Sequence, residues 1–534
     1  MEYILKGGLV YDGTLNPPKQ LDIHIKDGKI YEVAPTINQE NVKTISCEGL
    51  SISPGWIDAH SHNDFYLTND HEYRTLPFLF QGITTQIVGN CGFSSYGVEE
   101  NSPYVEDIGA GLFFERHVDT LKNFSKKLKG KLLQNIVPLV GHGSLRIGIK
   151  GKDPAPLTLK ERDELINLTI KAMEEGAFGG SLGLMYVPGM FSDFDELASF
   201  AKIIAEYDGI LTVHPRANSK IALGYPLITK KPHLELGLDE VIKIMEATNV
   251  RVEYSHLIFV GKSSWSCYKA MLSTFKKARS KGFDIAYDMY PFTYGASVIT
   301  VVLPSWYMSL SEKEKQEPFN RFKLKLTINI TKKLLGIDFS DMIVNYISPD
   351  YPEYEGKTIT EIAKTEGLSP FDTYLLLVEK SEGQGRIMLG KYYNEEIIKN
   401  LMQDPLTIYM TDAWVEDTGS QNASAYQAFP YFIKRAKEYN FPLFNVINKM
   451  THLTAERFRI PNRGLIKKGY YADITIFNED EIDVDLNKVD AKPKGIKKVI
   501  VNGEIVIEDG QYLDKMNGEF ILKEAKKGGT SFYL

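Results

Sequence analysis

Cysteine is scarce in this chain: Cys47, Cys91 and Cys267 are the only three in 534 residues, and they lie far apart. That excludes a disulfide framework and fits a reducing compartment, so a cytoplasmic protein is expected. Positive charge is not in excess. Against 69 Asp and Glu stand 62 Lys and Arg, for a net charge of −7. Phosphate backbones call for a basic face, so no nucleic-acid partner is expected. No apolar run reaches the roughly 18 residues of a membrane span. The N-terminal MEYILKGGLVYDG lacks a basic stretch leading into a long apolar one, so neither signal peptide nor membrane is expected. Internal repeats and low-complexity tracts are missing too.

What is present supports a large core, with 43% hydrophobic and 25% charged residues. The first fifty residues read as short strands, with GG and DG turn signals in LKGGLVYDG and IHIKDGKIYEV. The far end reads alike, ADITIF followed by NG and DG turns in KKVIVNGEIVIEDGQYL. The two ends, 1–53 and 465–534, are expected to meet in one small β domain. Between them short apolar runs alternate with helical stretches, the grammar of a parallel sheet with crossover helices. Eight candidate strands occur in order: LSISPGWIDAH, GITTQIVG, QNIVPLVGH, FGGSLGLMY, GILTVHP, VRVEYSHL, GFDIAYDMY and LTIYMTD. Eight closes a (β/α)8 TIM barrel, here over 54–464. A charged segment of helical character, about 303–400, interrupts strands seven and eight. It reads either as a cover for the barrel mouth or as a plain surface insertion.

The polar residues fall at strand ends. His60 and His62 end candidate strand one, and alternate residues of a strand point to one face. Both imidazoles therefore point into the barrel mouth, where barrel active sites lie. Strand two ends with Cys91, strand three with His142, strand five with His214, strand six with His256 and strand eight with Asp412. Imidazole, thiolate and carboxylate together are zinc-type ligands. Each has a plainer reading as well: Cys91 as a small buried hydrophobe, His142 as a core histidine, Asp412 as a loop cap. His24, His71, His117, His233 and His452 read as structural or surface residues. An aspartate beside a metal can take a proton from an attacking water and pass it to a leaving nitrogen. Tyr186, in GLMYVPG, is either an oxyanion donor and substrate contact or a lid residue.

Taken in order, PGWIDAHSHND, GNCG, GHGSLR, GLMYVPG, HPR, SH, DMYPF, TD and RGLIKKGYYADITIF resemble an amidohydrolase-superfamily enzyme, most of all the N-acyl-D-amino-acid deacylases, or D-aminoacylases. The resemblance runs over nearly the whole chain. It implies a distorted (β/α)8 barrel with a β-sandwich built from both termini. It also implies Zn2+, tightly held by Cys91, His214 and His256. By the same resemblance His60, His62 and Asp412 would form a weaker second site, with Asp412 as the implied catalytic acid/base. Tyr186, Arg216 and Tyr290 are the implied substrate contacts, and the substrate is a small molecule. Homo-oligomerisation is left open.

The chain departs from that family in four places. Ile258 stands where a lysine is usual, two residues past His256. Ser424 stands where an arginine grips the substrate carboxylate, and Ala296 replaces a usual serine, with Ser297 adjacent. The HxRxE pattern becomes HPRAN, with Asn218 in place of Glu. The metal and proton chemistry is expected intact, while the carboxylate contacts are altered; Arg216 or Arg146 would have to substitute, or the substrate differs. The expected activity is hydrolysis of a linear amide in N-acyl-D-amino acids or related compounds. The rivals are a cyclic-amide hydrolase, which would want a bridging lysine after strand four where LGLMY stands, and a non-catalytic binding protein on a decayed barrel.

Overall fold

The DG and NG dipeptides turn the chain as their chemistry requires. Asp27 and Gly28, Asn502 and Gly503, and Asp509 and Gly510 all have positive φ. Each pair forms a two-residue hairpin loop of the kind whose twist matches its strands. They join Lys19–Lys26 to Lys29–Ala34, Ile496–Val501 to Glu504–Glu508, and Glu504–Glu508 to Gln511–Tyr512. The GG signal behaves differently. Gly7 and Gly8 lie inside one strand, Glu2–Val10, where the register shifts in a bulge. An extra residue there bends the strand without ending it.

The computed structural model describes residues 1–68, 72–99, 101–104, 119–222, 224–226, 228–416 and 419–524; His71, His117 and the chain beyond 524 lie outside these. Strands from both ends of the chain form one continuous nine-stranded sheet. Its seam is the antiparallel pairing of Ile474–Phe477 with Ser51–Pro54. The sheet carries its own apolar core, including Tyr3, Leu5, Ile23, Ile52, Ile474 and Ile500.

The apolar run LSISPGWIDAH, read as one strand, is two. Ser51–Pro54 belongs to the nine-stranded sheet, and Trp56–Asp58 opens the barrel. Gly55 makes the switch. A Cβ there would sit 2.2 Å from Thr84 Oγ1, so only glycine lets the chain pass this close. From Trp56–Asp58 the sheet runs in sequence order through Ile83–Val88, Asn135–Gly141, Gly179–Gly183, Ile210–His214, Arg251–Tyr254, Ile285–Met289 and Thr407–Tyr409. All neighbouring strands are parallel. The ring closes where Ala59 N donates to Tyr409 O (3.3 Å) and Asp412 N to His60 O (2.9 Å). This is the expected (β/α)8 barrel with a small β domain at its side. The crossover helices carry the caps their sequences promise. Thr158 and Glu161 form a reciprocal capping box on Leu159–Glu174, and Asp193 caps Phe194–Glu206.

Between strands seven and eight the chain builds more than helices. Gly295–Val298, Arg386–Leu389 and Met342–Tyr346 form a three-stranded antiparallel sheet, packed with helices such as Pro318–Leu335 and Pro370–Lys380. The sheet starts upstream of residue 303. Charge concentrated in the connecting helices hides its short strands from a reading by periodicity.

Candidate metal centre

Asp58, the last residue of barrel strand one, arranges the opening histidines. Its fully buried carboxylate accepts hydrogen bonds from Thr411 N (2.9 Å), Thr411 Oγ1 (2.6 Å) and His60 N (3.2 Å). It therefore ties the end of strand one to the end of strand eight and sets His60 and His62 beside Asp412. Burial pushes its carboxyl up to about 7, against the pull of the Thr411 hydrogen bonds. Asp58 belongs to no ligand motif of the sequence. Its signal was an ionisable residue inside an otherwise apolar strand.

Two groups of ligand atoms converge, each with its members within 4.8 Å of one another: His60, His62, Cys91 and Asp412, and Cys91, His214 and His256. Cys91 Sγ lies 3.3 Å from His60 Nε2, 3.6 Å from His214 Nδ1 and 3.5 Å from His256 Nε2. Asp412 Oδ1 lies 3.5 Å from the Nε2 atoms of both His60 and His62. Zinc bonds of about 2.0–2.3 Å in a tetrahedron put neighbouring ligand atoms about 3.3–3.7 Å apart. The donor set thus already has the edge lengths of a zinc polyhedron, and the residues fit the ion.

The backbone is bent to achieve this. Cys91, His256 and Asp412, three of the six converging residues, have φ of 51°, 34° and 49°. Left-handed backbone at a residue other than glycine costs of order 1–3 kcal/mol and clusters where function needs it. Around Cys91 the turn is held by Gly92 N donating to Ser181 Oγ (2.9 Å) and by Thr212 Oγ1 donating to Asn90 Oδ1 (3.1 Å).

Asp288, at the end of strand seven, is a second residue that sequence reasoning missed. Its Oδ1 accepts a hydrogen bond from His256 N. Its Oδ2 faces His60 Nδ1 at 3.5 Å, and among the described residues neither atom has a hydrogen-bond partner of its own. A carboxylate behind a ligating histidine orients the ring and raises its basicity. Burial also moves the titrations toward what ligation needs. It lowers His60 to about 3 and carries His214 and His256 below the usual histidine range, so all three are neutral donors. Burial raises the Cys91 thiol, which means ion binding must displace a proton. For Asp412 burial pulls upward, but attraction to His60 and a hydrogen bond with His62 outweigh it and keep the carboxyl well below its ordinary value.

Tyr186 reaches the centre, its hydroxyl 3.3 Å from His214 Nδ1. Tyr290, Ala296 and Ser297 line the cavity above it, as does Trp414, whose ring is 5.8 Å from that of His62. The Asn218 amide lies 3.4 Å from His214 Nε2. Arg216 does not reach the centre. Its guanidinium pairs with Glu240 (3.0 Å) and donates to Met190 O and Ser192 O, outside the cavity lining. Glu240 and the two carbonyls take up its donors, away from the centre where a substrate contact was expected. Arg146 is fully buried against Glu196, as is His142, whose Nε2 lies 2.9 Å from Glu196 Oε1. His142 is thus a core histidine. His24 pairs with Glu2, and His233 Nδ1 accepts from Ala222 N. The end of strand four leaves no room for a bridging lysine, since a Cβ on Gly183 would meet Cys91 O at 1.9 Å.

A closed parallel barrel with these donors gathered at the C-terminal ends of its strands has the form in which barrel enzymes place their sites. The amidohydrolase family model matches residues 354–506, which include Asp412. The chain is 24% identical over 532 residues to D-aminoacylase of Alcaligenes xylosoxydans xylosoxydans, covering 98% of each. It is 25% identical to that organism's N-acyl-D-glutamate deacylase over 515 residues, covering 94% of this chain and 93% of the relative. The solved N-acyl-D-glutamate deacylase of Bordetella bronchiseptica, complexed with zinc and a phosphonate mimic of the tetrahedral intermediate, superposes with TM-score 0.80 at 22% identity, over 98% of this chain and 99% of that one. A D-hydantoinase structure gives only 0.59 at 17% identity, over 99% and 100%. The resemblance to the deacylases is borne out.

Proposed function

We propose that this protein is a zinc-dependent hydrolase of a linear amide C–N bond, releasing an amine from an N-acyl compound of the kind its relatives' names describe, N-acyl-D-amino acids and related amides. The observation that carries this reading is the Asp412 carboxylate, 3.5 Å from two imidazoles that share a ligand cage with Cys91. Cys91, His214 and His256 would hold one ion, and His60, His62 and Asp412 a weaker second. Bound there, zinc supplies Lewis acidity toward a carbonyl oxygen and eases the ionisation of water.

The chain's own groups do the rest. Asp412, kept ionised by its histidine neighbours, takes the proton of the attacking water and returns it to the departing nitrogen. Tyr186 points its hydroxyl at the oxygen on which negative charge develops. Apolar walls keep bulk water out. In domain terms, 1–53 and 465–534 carry the β domain and 54–464 the barrel, with the segment about 303–400 roofing the site. The setting is the cytoplasm.

The test is amine release from N-acyl substrates with zinc supplied, in the wild type and in Asp412→Asn. Loss of the proton carrier lowers kcat by about 10²–10⁴-fold. Full turnover by the variant refutes the assigned role.

A further inference from the structure

The relatives' names specify amino-acid products, whose carboxylates call for a cation near the scissile amide. The cavity above the metal centre is built for something else. Beyond the metal ligands its walls are apolar, with Ile258 and Val260 from the loop after strand six and Val301, Ile328, Leu335 and Met342 from the insertion. Apart from Lys332, the remaining polar groups are neutral: phenols of Tyr186, Tyr290 and Tyr392, the hydroxyls of Ser219, Ser297 and Thr331, and the Asn218 amide.

Among the described residues, Lys332 is the one lysine or arginine in the lining. Its Nζ lies 2.5 Å from Asp338 Oδ1 and 3.7 Å from the centre of the Phe339 ring, so its charge is already matched. Arg216 and Arg146 are tied to Glu240 and Glu196 outside the cavity. Ile258 is buried in the wall, and Ser424 Oγ is turned to Thr411 O. A carboxylate entering this space would lose its hydration and, among the described lining residues, meet only the Lys332 ammonium already paired with Asp338, with Asp412 as a like-charged neighbour.

We propose that the substrate is an uncharged N-acyl amine, with no carboxylate on the amine side and an apolar chain held in the chamber that the insertion roofs. The proposal rests on the amide-hydrolase reading above and narrows it to one substrate class. The reaction is a hydrolysis, with balance supplied by water alone: the C–N bond breaks, a C–O bond forms, and the proton leaves on the amine. Pocket hydroxyls and the Asn218 amide supply donors and acceptors for the amide group itself, and the apolar walls exclude water from it.

The test uses a matched pair that differs only by the carboxylate, N-octanoyl-D-leucine and N-octanoyl-3-methylbutylamine, with the zinc-loaded full chain. The neutral amide is expected to have at least a 100-fold higher kcat/KM, about 2.7 kcal/mol at 1.36 kcal/mol per tenfold. Equal or faster turnover of the D-leucine compound overturns the proposal while leaving the amide-hydrolase reading intact. A second measurement does not depend on turnover. Calorimetric binding of the same pair to Asp412→Asn, which lacks the like charge, should still favour the neutral amide at least tenfold, and equal or tighter binding of the acid overturns the proposal. Ile258→Lys supplies a cation to the chamber and should move the ratio at least tenfold toward the acid; an unmoved ratio counts against the chamber as the place where charge is read. Absence of zinc-dependent release from every amide, with binding still selective, would sink the hydrolase reading and spare the chamber's specificity.

Discussion

Replacing Asp288 by Asn probes the centre from behind. The exchange is isosteric, so the side-chain oxygen still accepts the His256 N–H, while the negative charge facing His60 Nδ1 at 3.5 Å is lost. Removing a carboxylate that backs a metal-bound histidine weakens metal affinity by about 10–100-fold, or about 1.4–2.7 kcal/mol. The loss should fall on the ion that His60 helps to hold. The ion held by Cys91, His214 and His256 should change by less than about threefold, because the backbone contact to His256 survives. Stability should move the other way. Burial raises Asp288 above the ordinary carboxylate range. Between the unfolded value, about 3.9, and the raised native one, the native state binds more protons, so wild-type stability falls as pH rises through that window. Asn removes this slope, and the metal-free variant should gain on the wild type as pH rises toward 8. Chelator competition gives the two zinc affinities, and urea unfolding of the metal-free protein from pH 5 to 8 gives the slope. Equal weakening of both ions, or a variant that loses stability on the wild type as pH rises, would refute the reasoning.

Three further outcomes follow from other contacts. Zinc loading in weak buffer near pH 7.5 should release a proton that Cys91→Ser does not, because burial holds the Cys91 thiol protonated until an ion displaces it; pH-stat titration reads it. Gly183→Ala would press a methyl group onto Cys91 O and shift the thiolate, so bound zinc should fall, as measured by elemental analysis. Lys449 is buried, donates to Asp404 O and Thr407 O, and is lowered by burial to about 7. The unfolded chain binds its proton up to about pH 10.4, so wild-type stability relative to Lys449→Met should rise by about 1.4 kcal/mol per pH unit between pH 7 and 9. A flat difference in unfolding free energy would show that the ammonium is solvated.

The barrel was legible because its strands are short apolar runs ending in chemistry-bearing residues, and the hairpins because Asn-Gly and Asp-Gly need little context. The six converging residues were legible for the same reason: His60, His62, Cys91, His214, His256 and Asp412 each close a strand. What periodicity hid was whatever depends on long-range contact. Asp58 and Asp288 look like ordinary polar interruptions of strands until Thr411, His60 and His256 fold onto them. Arg216 looked free in HPR because its partner Glu240 lies in a following helix. Gly7 and Gly8 read as a turn since nothing local distinguishes a bulge from a bend. The insertion's strands, four or five residues each, sit between charged helices that dominate any window averaged over them.

The nine-stranded sheet also has a history in time. Ser51–Pro54 finds its partner in Ile474–Phe477, which a ribosome makes some four hundred residues later. At roughly 5–20 residues per second, that edge emerges about 20–80 seconds before its partner does. Throughout that interval its backbone N–H and C=O groups offer themselves to any passing strand. Only when Ile474–Phe477 emerges does the sheet close over that edge.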